Sequence, residues 1–343
     1  MSKWREENFC KKNIDAVVRL KTENDGITTL NDQVIGKVSI KNSELDDMVL
    51  LRSNNTATYN LACVIDDHDM NITHVIRGND HFTNTFRQLQ IFKALKWNPP
   101  IYAHTPLIHD KNGQKMSKRL NAINVDEYKK LGFLPEAIFR YLLTLGWSNN
   151  GEEVIDIQQV IKTFDLQNIH KSPSQFSLQK LRSINQQYIN TMDDDEIFQK
   201  VIAIVGNQII SLNQRIRVKH SIPLIRSRGQ TINELADLSL IFISYPSSID
   251  NESKQLLKSN RVIQLLEKIF YIFQQETNWK ANVIKEKSLN FARERNLKHL
   301  EVMKILRSSV LGVFRTPPIY ETLEVMSQEE VLNRISRIIK SFV

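Results

Sequence analysis

The first part of the chain alternates short β-branched runs with one helical pattern. Residues 14–20, 33–40 and 47–52 are predicted to be β-strands, with a turn at residues 25–26 between the first two. Residues 58–70 show the apolar spacing of a helix. This succession predicts an α/β region at the start of the chain.

A strand, a helix and a second strand follow. Residues 72–78 form an apolar run that predicts a buried strand, and residues 101–108 predict the next one. Between them, apolar residues recur at steps of three and four, which predicts an amphipathic helix that ends near Trp97. The residues that define this helix are Phe82, Phe86, Leu89 and Phe92. Together the three elements make a βαβ unit, which predicts a parallel sheet.

The remainder of the chain, from about Val125 onward, is predicted to be helical. Residues 134–147 illustrate the pattern, with Pro135 near the helix start and Gly146 at its end. No internal repeat and no low-complexity linker interrupts this region. The predicted fold class is therefore α/β followed by an all-α region.

Composition and charge narrow the class of protein only slightly. The chain has 343 residues, of which 41% are hydrophobic and 24% charged, as in an ordinary globular protein. Lysine and arginine number 46 against 38 aspartates and glutamates. The resulting net charge of +8 is compatible with a nucleic-acid partner but does not establish one.

Cysteine usage and apolar segments bear on metal binding and location. Cys10 and Cys63 are too few for a disulfide framework or a four-ligand zinc site, so no protein-bound zinc or other metal site is expected. The N-terminal residues lack the apolar region of a signal peptide. No apolar run approaches the roughly 20 residues needed to cross a bilayer. We therefore expect a cytoplasmic protein without a membrane partner.

The strongest candidate for a ligand-binding motif is a basic loop at residues 115–119, KMSKR. It follows a turn sequence at residues 110–113 and the predicted strand at 101–108. Ligands of open α/β sheets gather beyond the carboxyl ends of the strands. Three neighbouring cations repel one another unless an anion lies between them, and a nucleotide phosphate is the natural candidate. The alternative is a solvated basic turn.

Residues 73–119, THVIRGNDHFTNTFRQLQIFKALKWNPPIYAHTPLIHDKNGQKMSKR, closely resemble the second half of the catalytic domain of bacterial glutamyl-tRNA synthetases, a class I family. The dense part of the resemblance runs from residue 45 to residue 147, and residues 306–335 resemble the end of that family's anticodon-binding region. The resemblance implies a partial class I Rossmann-type catalytic domain followed by helical stem-contact and anticodon-binding domains. The implied domains are 1–58, the remainder of the acceptor-binding connecting insertion; 59–112, the second half of the Rossmann-type domain; 113–194, the KMSKR loop and stem-contact domain; and 195–343, the anticodon-binding domain.

The same resemblance implies two substrate sites. KMSKR corresponds to the family's signature loop over ATP, made of Lys115, Met116, Ser117, Lys118 and Arg119. Lys115 and Lys118 are its implied catalytic residues. The implied ATP-binding residues are Met116, Ser117, Lys118 and His81.

Arg77 and Tyr59 match family residues that meet the glutamate substrate. This suits Arg77, because a guanidinium can hold a carboxylate with two parallel hydrogen bonds. From the residues alone, Tyr59 can equally be interpreted as a core aromatic and Arg77 as a salt-bridge partner. Asp80, which precedes His81, can be interpreted as a helix N-cap.

The activity implied by the resemblance is that of a glutamate–tRNA ligase. Such an enzyme uses ATP, with Mg²⁺ expected beside it, to activate L-glutamate as glutamyl-adenylate, and then transfers glutamate to the 3′ end of tRNA-Glu. Whether tRNA-Gln is also charged stays open. The helical region is expected to meet tRNA phosphates, and the alternative for its basic run is a solvated face. The candidates in this run are Arg215, Arg217, Lys219, Arg226 and Arg228.

One family feature is absent from the sequence. None of the eight histidines lies three residues from another, so the chain has no His-x-Gly-His signature, which class I synthetases use to hold ATP. We expect the chain to begin within the connecting insertion, and a half Rossmann-type sheet to expose strand edges. The alternatives are a non-catalytic tRNA-binding fragment or truncated gene remnant, or half of an enzyme completed by a separate chain. Otherwise a monomer is expected.

Overall fold

The computed structural model describes residues 15–116, 124–147, 157–208, 211–246, 249–313 and 317–342. The chain divides into two compact units. The first comprises Met1–Ala122 and Arg140–Ser177, and the second comprises Ile123–Phe139 and Leu178–Val343.

Within the described residues, every strand lies in the first unit. The strands are β1 (Val18–Arg19), β2 (Ile27–Asp32), β3 (Gly36–Lys41), β4 (Val49–Leu51), β5 (His74–Gly78), β6 (Ile101–Thr105), β7 (Ile108–His109) and β8 (Ser174–Gln175). The helices of the described residues in both units are α1 (Tyr59–Asp69), α2 (Phe82–Leu95), α3 (Val125–Lys130), α4 (Pro135–Gly146), α5 (Ile157–Thr163), α6 (Leu178–Thr191), α7 (Asp194–Val205), α8 (Leu212–Ile225), α9 (Ile232–Ile243), α10 (Asn251–Leu257), α11 (Asn260–Gln274), α12 (Ala281–Glu294), α13 (His299–Leu311), α14 (Ile319–Met326) and α15 (Gln328–Phe342).

The predicted βαβ unit is formed by β5, α2 and β6. β5 and β6 are parallel, with His74 opposite Ile101 and Gly78 opposite Thr105. α2 ends where Lys96 adopts the left-handed conformation with a φ of 58°. The parallel sheet predicted from the sequence is confirmed, and it brings the carboxyl ends of both strands to one edge.

The segment predicted as a strand over residues 33–40 begins with a turn instead. β2 and β3 form an antiparallel hairpin, and residues 33–35 connect them. The Asp32 carboxylate accepts hydrogen bonds from the backbone N–H groups of Val34 (3.0 Å) and Ile35 (2.9 Å), and Gly36 has a positive φ of 97°. A turn stabilised by a side chain therefore replaces the start of the predicted strand. The sequence pattern missed β2 because its threonines and asparagine weaken the apolar alternation.

The predicted strand β5 is not buried as its apolar sequence suggests. Ile76 is 51% exposed, and Ile101 on the neighbouring strand is 44% exposed. Among the described residues, β6 is the one strand that pairs with β5. The prediction was wrong because an apolar run does not show which of its faces neighbouring elements cover.

A cluster of buried side chains holds the β2–β3 hairpin against α2 and β6. It contains Leu30, Leu45, Phe86 and Tyr102. Phe86 is fully buried, which is worth about 1.5–3 kcal/mol relative to an exposed side chain. A second cluster joins α1 to α2 through Val64, Ile91 and Phe92. The first cluster fixes the end of β2, with Asp32, beside β6.

The second unit is helical throughout its described part, as predicted. α8 begins with a capping box, in which Ser211 and Gln214 each bond the other's backbone N–H. α7, α8 and α9 pack together around fully buried side chains such as Val218 and Leu235. In neither unit does a described helix have the length and apolar character needed to cross a bilayer.

Candidate active site

The candidate site lies at the carboxyl end of β5. Arg77 is the second-last residue of β5, and a short 3₁₀ turn, Asn79–His81, leads from it into α2. Gln88 of α2 links Arg77 to the first turn of α1, because it accepts from Arg77 and donates to Asn60 at 3.4 Å. Tyr59 precedes Asn60 as the first residue of α1. The site is thus built from the βαβ unit and one additional helix.

The guanidinium of Arg77 is held along one edge by neutral acceptors. Its Nε–H donates to Nε2 of His104 (3.2 Å), and its Nη2 donates to Oγ1 of Thr85 (2.6 Å) and Oε1 of Gln88 (2.9 Å). The guanidinium also lies over the ring of Tyr102, 5.4 Å from its centroid. Among the described residues, Nη1 has no hydrogen-bond partner, so its two N–H groups are available to a ligand.

No carboxylate of the described part of the chain forms an ion pair with Arg77. The salt-bridge interpretation of this residue is therefore not realised there. The side chain is half-buried, and its positive charge is not cancelled by direct contact with an anion. A partly desolvated, uncompensated guanidinium attracts an anionic ligand strongly, because the surrounding dielectric constant is low.

Behind Arg77 lies a buried Asp–His pair. Nδ1 of His104 is 2.6 Å from Oδ2 of Asp32, and both side chains are completely buried. Burial lowers the pKa of His104 below its usual value, outweighing the opposite effect of Asp32. Burial also opposes ionisation of Asp32, but hydrogen bonds from Ile35, His104 and Val34 together place its pKa below the usual value. The pair is therefore a carboxylate beside a neutral imidazole at neutral pH.

Tyr59 and His81 flank the site on its exposed side. The two ring centroids are 5.9 Å apart, at an interplanar angle of 42°. Tyr59 is 52% exposed, so the core-aromatic interpretation of this residue is wrong. His81 occupies the N-cap position of α2 without a capping side-chain bond.

Lys115 reaches the same turn from the loop after β7. Its ammonium lies 2.8 Å from the Asp80 carboxylate, and this hydrogen bond lowers the pKa of Asp80. Asp80 therefore serves as the partner of Lys115, and the N-cap interpretation is not realised. The loop itself starts as the predicted turn, in which Oδ1 of Asp110 accepts from the backbone of Asn112 (2.8 Å) and Gln114 (2.9 Å).

The KMSKR segment is only partly described. The backbone N–H of Met116 donates to the carbonyl of Ile108 at 2.9 Å, which anchors the start of the segment beside β7. Ser117, Lys118 and Arg119 lie outside the described residues. Their implied roles stay predictions.

Sequence reasoning did not single out the residues that hold Arg77. Arg77 is contacted by Thr85, Gln88 and His104, and Asp32 contacts His104. The available signal was weak: His104 alternates with apolar neighbours on β6, and Thr85 and Gln88 lie three residues apart on α2. As for metals, the described residues contain no group of three His, Cys, Asp or Glu side chains arranged as ligands.

The predicted basic run of the second unit is largely engaged within the fold. Arg217, Lys219 and Arg226 form ion pairs with Glu330 (3.1 Å), Asp195 (2.8 Å) and Asp194 (2.8 Å), respectively. Arg215 lies over the ring of Phe198, 5.4 Å from its centroid. Arg228 is exposed, and no ion pair holds it within the described residues. The five residues therefore do not form one uncompensated surface.

Comparison with known proteins identifies the class. Residues 2–183 match the family model of class I tRNA synthetases (E and Q), catalytic domain, and residues 176–339 match the model of an anticodon binding domain. The fold agrees: the chain is 30% identical to the crystal structure of a glutamate tRNA ligase from Elizabethkingia meningosepticum in complex with its amino acid, with a TM-score of 0.85. That match covers 95% of this chain and 68% of the other. The chain thus has a class I synthetase catalytic domain followed by a helical anticodon-binding domain.

Curated relatives define the family more closely. The chain is 40% identical over 338 residues to glutamate–tRNA ligase 2 of Ehrlichia chaffeensis and 42% identical over 339 residues to glutamate–tRNA ligase 1 of Ehrlichia canis. Each match covers 97% of this chain and 72% of the relative. The chain belongs to the glutamate–tRNA ligases, a family of aminoacyl-tRNA synthetases that use ATP. The resemblance inferred from the sequence and the predicted fold class are confirmed.

Proposed function

We propose that this chain binds L-glutamate and ATP at the carboxyl end of β5 and glutamylates tRNA-Glu in two steps. A glutamate carboxylate oxygen attacks the α-phosphorus of ATP, which forms glutamyl-adenylate and releases pyrophosphate. A hydroxyl of the terminal tRNA ribose then attacks the adenylate carbonyl, and AMP leaves. The same glutamylation assay with tRNA-Gln tests whether that tRNA is a second acceptor.

The observation that carries this proposal is the environment of Arg77. Its Nη1 offers two N–H groups, and its charge has no carboxylate partner among the described residues. A substrate carboxylate satisfies both requirements with charge-assisted hydrogen bonds. The exposed Tyr59 begins α1, whose first turn is linked to Arg77 through Gln88, and we assign its hydroxyl as a donor to the bound carboxylate.

ATP is assigned to the side of the site that holds His81 and Lys115. Lys115 is half-exposed and paired with Asp80, and an exposed pair of this kind costs little to open. Its ammonium can therefore transfer from Asp80 to a phosphate. We assign ATP binding to Met116, Ser117 and Lys118. Lys115 and Lys118 are assigned to stabilise the negative charge that develops on the departing pyrophosphate. Arg119 belongs to the same loop. Mg²⁺ arrives with ATP as its counterion.

The second unit is assigned to tRNA. The anticodon-domain match over residues 176–339 supports this assignment. We retain the proposed boundaries: 1–58 for the connecting insertion, 59–112 for the catalytic half, 113–194 for the loop and stem-contact region, and 195–343 for anticodon binding. Arg228 is the member of the basic run best placed for a phosphate, since it is exposed and not held in an ion pair with a described residue.

The test is glutamylation of tRNA-Glu by the purified chain with ATP, using four variants. We expect Arg77→Ala to lose activity because the substrate carboxylate loses its cation, and Lys118→Ala to lose it because pyrophosphate departure loses a positive charge. The matched controls are Arg87→Ala, a surface arginine of α2 that pairs with Asp46 (2.8 Å), and Lys111→Ala, a lysine in the turn before the loop. Both should retain activity.

An inactive but folded chain would contradict the proposal and favour the non-catalytic tRNA-binding alternative. Retention of tRNA-Glu in a gel-shift assay would then confirm that alternative. Activity that appears only after addition of a cell fraction would instead favour a complementing chain. Equal activity of the Arg77→Ala and Arg87→Ala variants would refute the role of Arg77.

A further inference from the structure

We infer that Asp32 and His104 are positioning residues that fix the orientation of Arg77 without cancelling its charge. This inference rests on the proposed function, in which Arg77 receives a substrate carboxylate. Neither residue contacts the substrate in the proposed function. Their effect passes through the hydrogen bond between His104 and Arg77.

The hydrogen bonds determine which nitrogen of His104 carries the proton. Nε2 faces the Nε–H of Arg77 at 3.2 Å, and that guanidinium N–H can only donate. Nε2 must therefore be the unprotonated acceptor. The proton lies on Nδ1, where it is donated to Oδ2 of Asp32 at 2.6 Å. The hydroxyl oxygen of Thr85 lies 3.0 Å from Nε2 of His104 and accepts a hydrogen bond from Nη2 of Arg77. The same hydroxyl can donate its own proton to Nε2.

Asp32 is itself fixed before it meets His104. Its Oδ1 accepts the backbone N–H groups of Val34, Ile35 and His104 at 3.0, 2.9 and 3.2 Å. Oδ2 is therefore left to face Nδ1. A carboxylate with three backbone donors on one oxygen does not rotate freely, so the hairpin turn holds the imidazole and the imidazole holds Arg77.

The imidazole also separates the two charges. A carboxylate in direct contact with Arg77 would form an internal ion pair and would compete with the substrate. Here the carboxylate meets a neutral ring, and the guanidinium meets only neutral acceptors. The arrangement supplies rigidity on the Nε–Nη2 edge and leaves Nη1 with a net attraction for an anion.

Asp32→Asn tests the inference, because an asparagine amide is expected to reverse the donor and acceptor roles in the hydrogen bonds that lead from residue 32 through His104 to Arg77. Its oxygen is expected to take the three backbone N–H groups, which turns its NH₂ group toward Nδ1. Nδ1 then becomes the acceptor, the proton moves to Nε2, and two donors face each other at Arg77. We expect L-glutamate affinity to fall roughly 10- to 100-fold, the range found when groups that orient a metal-ligating histidine are removed. ATP affinity should stay within about 2-fold, since Lys115 and His81 are untouched.

Two readouts separate this role from a merely structural one. The first is ¹⁵N NMR of histidine-labelled protein at neutral pH, which should show the His104 proton on Nδ1 in the unsubstituted chain and on Nε2 in the variant. The second is calorimetric titration with L-glutamate. The matched control is Asp69→Asn, which alters a surface Asp–His pair, Asp69 with His68 at 3.0 Å, and should change neither readout at His104.

Two further substitutions, at His104 and Thr85, test the same positioning role. His104→Gln keeps an amide oxygen that can accept from Arg77 and should bind glutamate more tightly than His104→Ala. If Asp32→Asn does not fold, Thr85→Val, which is nearly isosteric, removes one acceptor from the held edge and should weaken glutamate binding several-fold. Two results would overturn the positioning role of Asp32 and His104. One is a His104 proton on Nε2 in the unsubstituted chain, and the other is unchanged glutamate affinity in the folded variants. Failure of the unsubstituted chain to bind glutamate would instead refute the proposed function, with the His104 tautomer still readable.

Discussion

Two arginines, one in each unit, differ in their surroundings: Arg334 is held as a structural cation, and Arg77 is the proposed receiver of a ligand. Arg334 of α15 is buried in the second unit, where its Nε donates to Glu330 at 2.7 Å and Arg217 adds a second ion pair to the same carboxylate. Arg77 of the first unit is half-buried and meets only neutral acceptors. Glu330 compensates the charge of Arg334 inside the fold. No carboxylate of the described residues compensates the charge of Arg77, and in the proposed function the substrate carboxylate does so.

The largest effect on folding is expected at Arg334. Arg334→Ala removes the closer of the two ion-pair partners of Glu330, whose side chain is 24% exposed, and empties a buried position, so it should destabilise the second unit by about 3 kcal/mol. Hydrogen exchange followed by mass spectrometry should show faster exchange in α15 and in its neighbour α11. Glutamate affinity should not change. A loss of glutamate affinity without faster hydrogen exchange in α15 and α11 would contradict the contrast between Arg334 and Arg77.

Arg77→Ala should have a smaller effect on the fold. The change leaves Thr85, Gln88 and His104 short of a donor, which water entering the half-buried site can replace, so we expect about 1 kcal/mol of destabilisation. Exchange in β5 and β6 is the measurement. Destabilisation as large as that of Arg334→Ala would mean that Arg77 is mainly a structural residue.

Acid should weaken the first unit through the Asp–His pair. The folded pKa of His104 lies below the usual value of 6.5, so the unfolded chain binds the proton first as the pH falls. This contribution to stability is complete above about pH 6.5 and is lost as the pH falls toward the folded pKa. The lowered pKa of Asp32 adds a second loss below its usual value of 3.8. Urea unfolding of the first unit between about pH 7.5 and pH 5 should show the first loss, and His104→Gln should abolish it.

The smallest effect on folding is expected at Lys115. Its ion pair with Asp80 is half-exposed, so Lys115→Ala should cost less than about 1 kcal/mol. ATP affinity should nevertheless fall, because the proposed site loses a cation. A thermal-unfolding series with and without ATP measures both quantities. A variant that loses stability but keeps ATP affinity would make this lysine structural.

Much of the fold could be predicted because its signals are local. Apolar periodicity along one segment marked α2 and the strands on either side of it. Arg77 and Tyr59 were singled out as candidate site residues because residues 45–147 carry a specific resemblance. The β2–β3 turn was missed because it depends on a side chain, Asp32, that accepts hydrogen bonds from the backbone.

The remaining part of the site depends on contacts between distant residues. Asp32 and His104 are 72 positions apart, and no pattern of either segment shows that they meet. The exposure of Ile76 likewise depends on neighbours rather than on its own strand. The difference between Arg77 and Arg334 has the same origin, since a single sequence shows both as arginines among apolar residues.

Calorimetric titration of L-glutamate into the purified chain and its Arg77→Ala and Arg87→Ala variants tests most directly whether Arg77 receives the substrate carboxylate. The expected result is saturable binding to the unsubstituted chain and to Arg87→Ala, with a loss of affinity of roughly 100-fold in Arg77→Ala, equivalent to about 2.7 kcal/mol. Equal affinity of all three proteins would contradict it, because the uncompensated guanidinium would then not be the group that receives the substrate carboxylate.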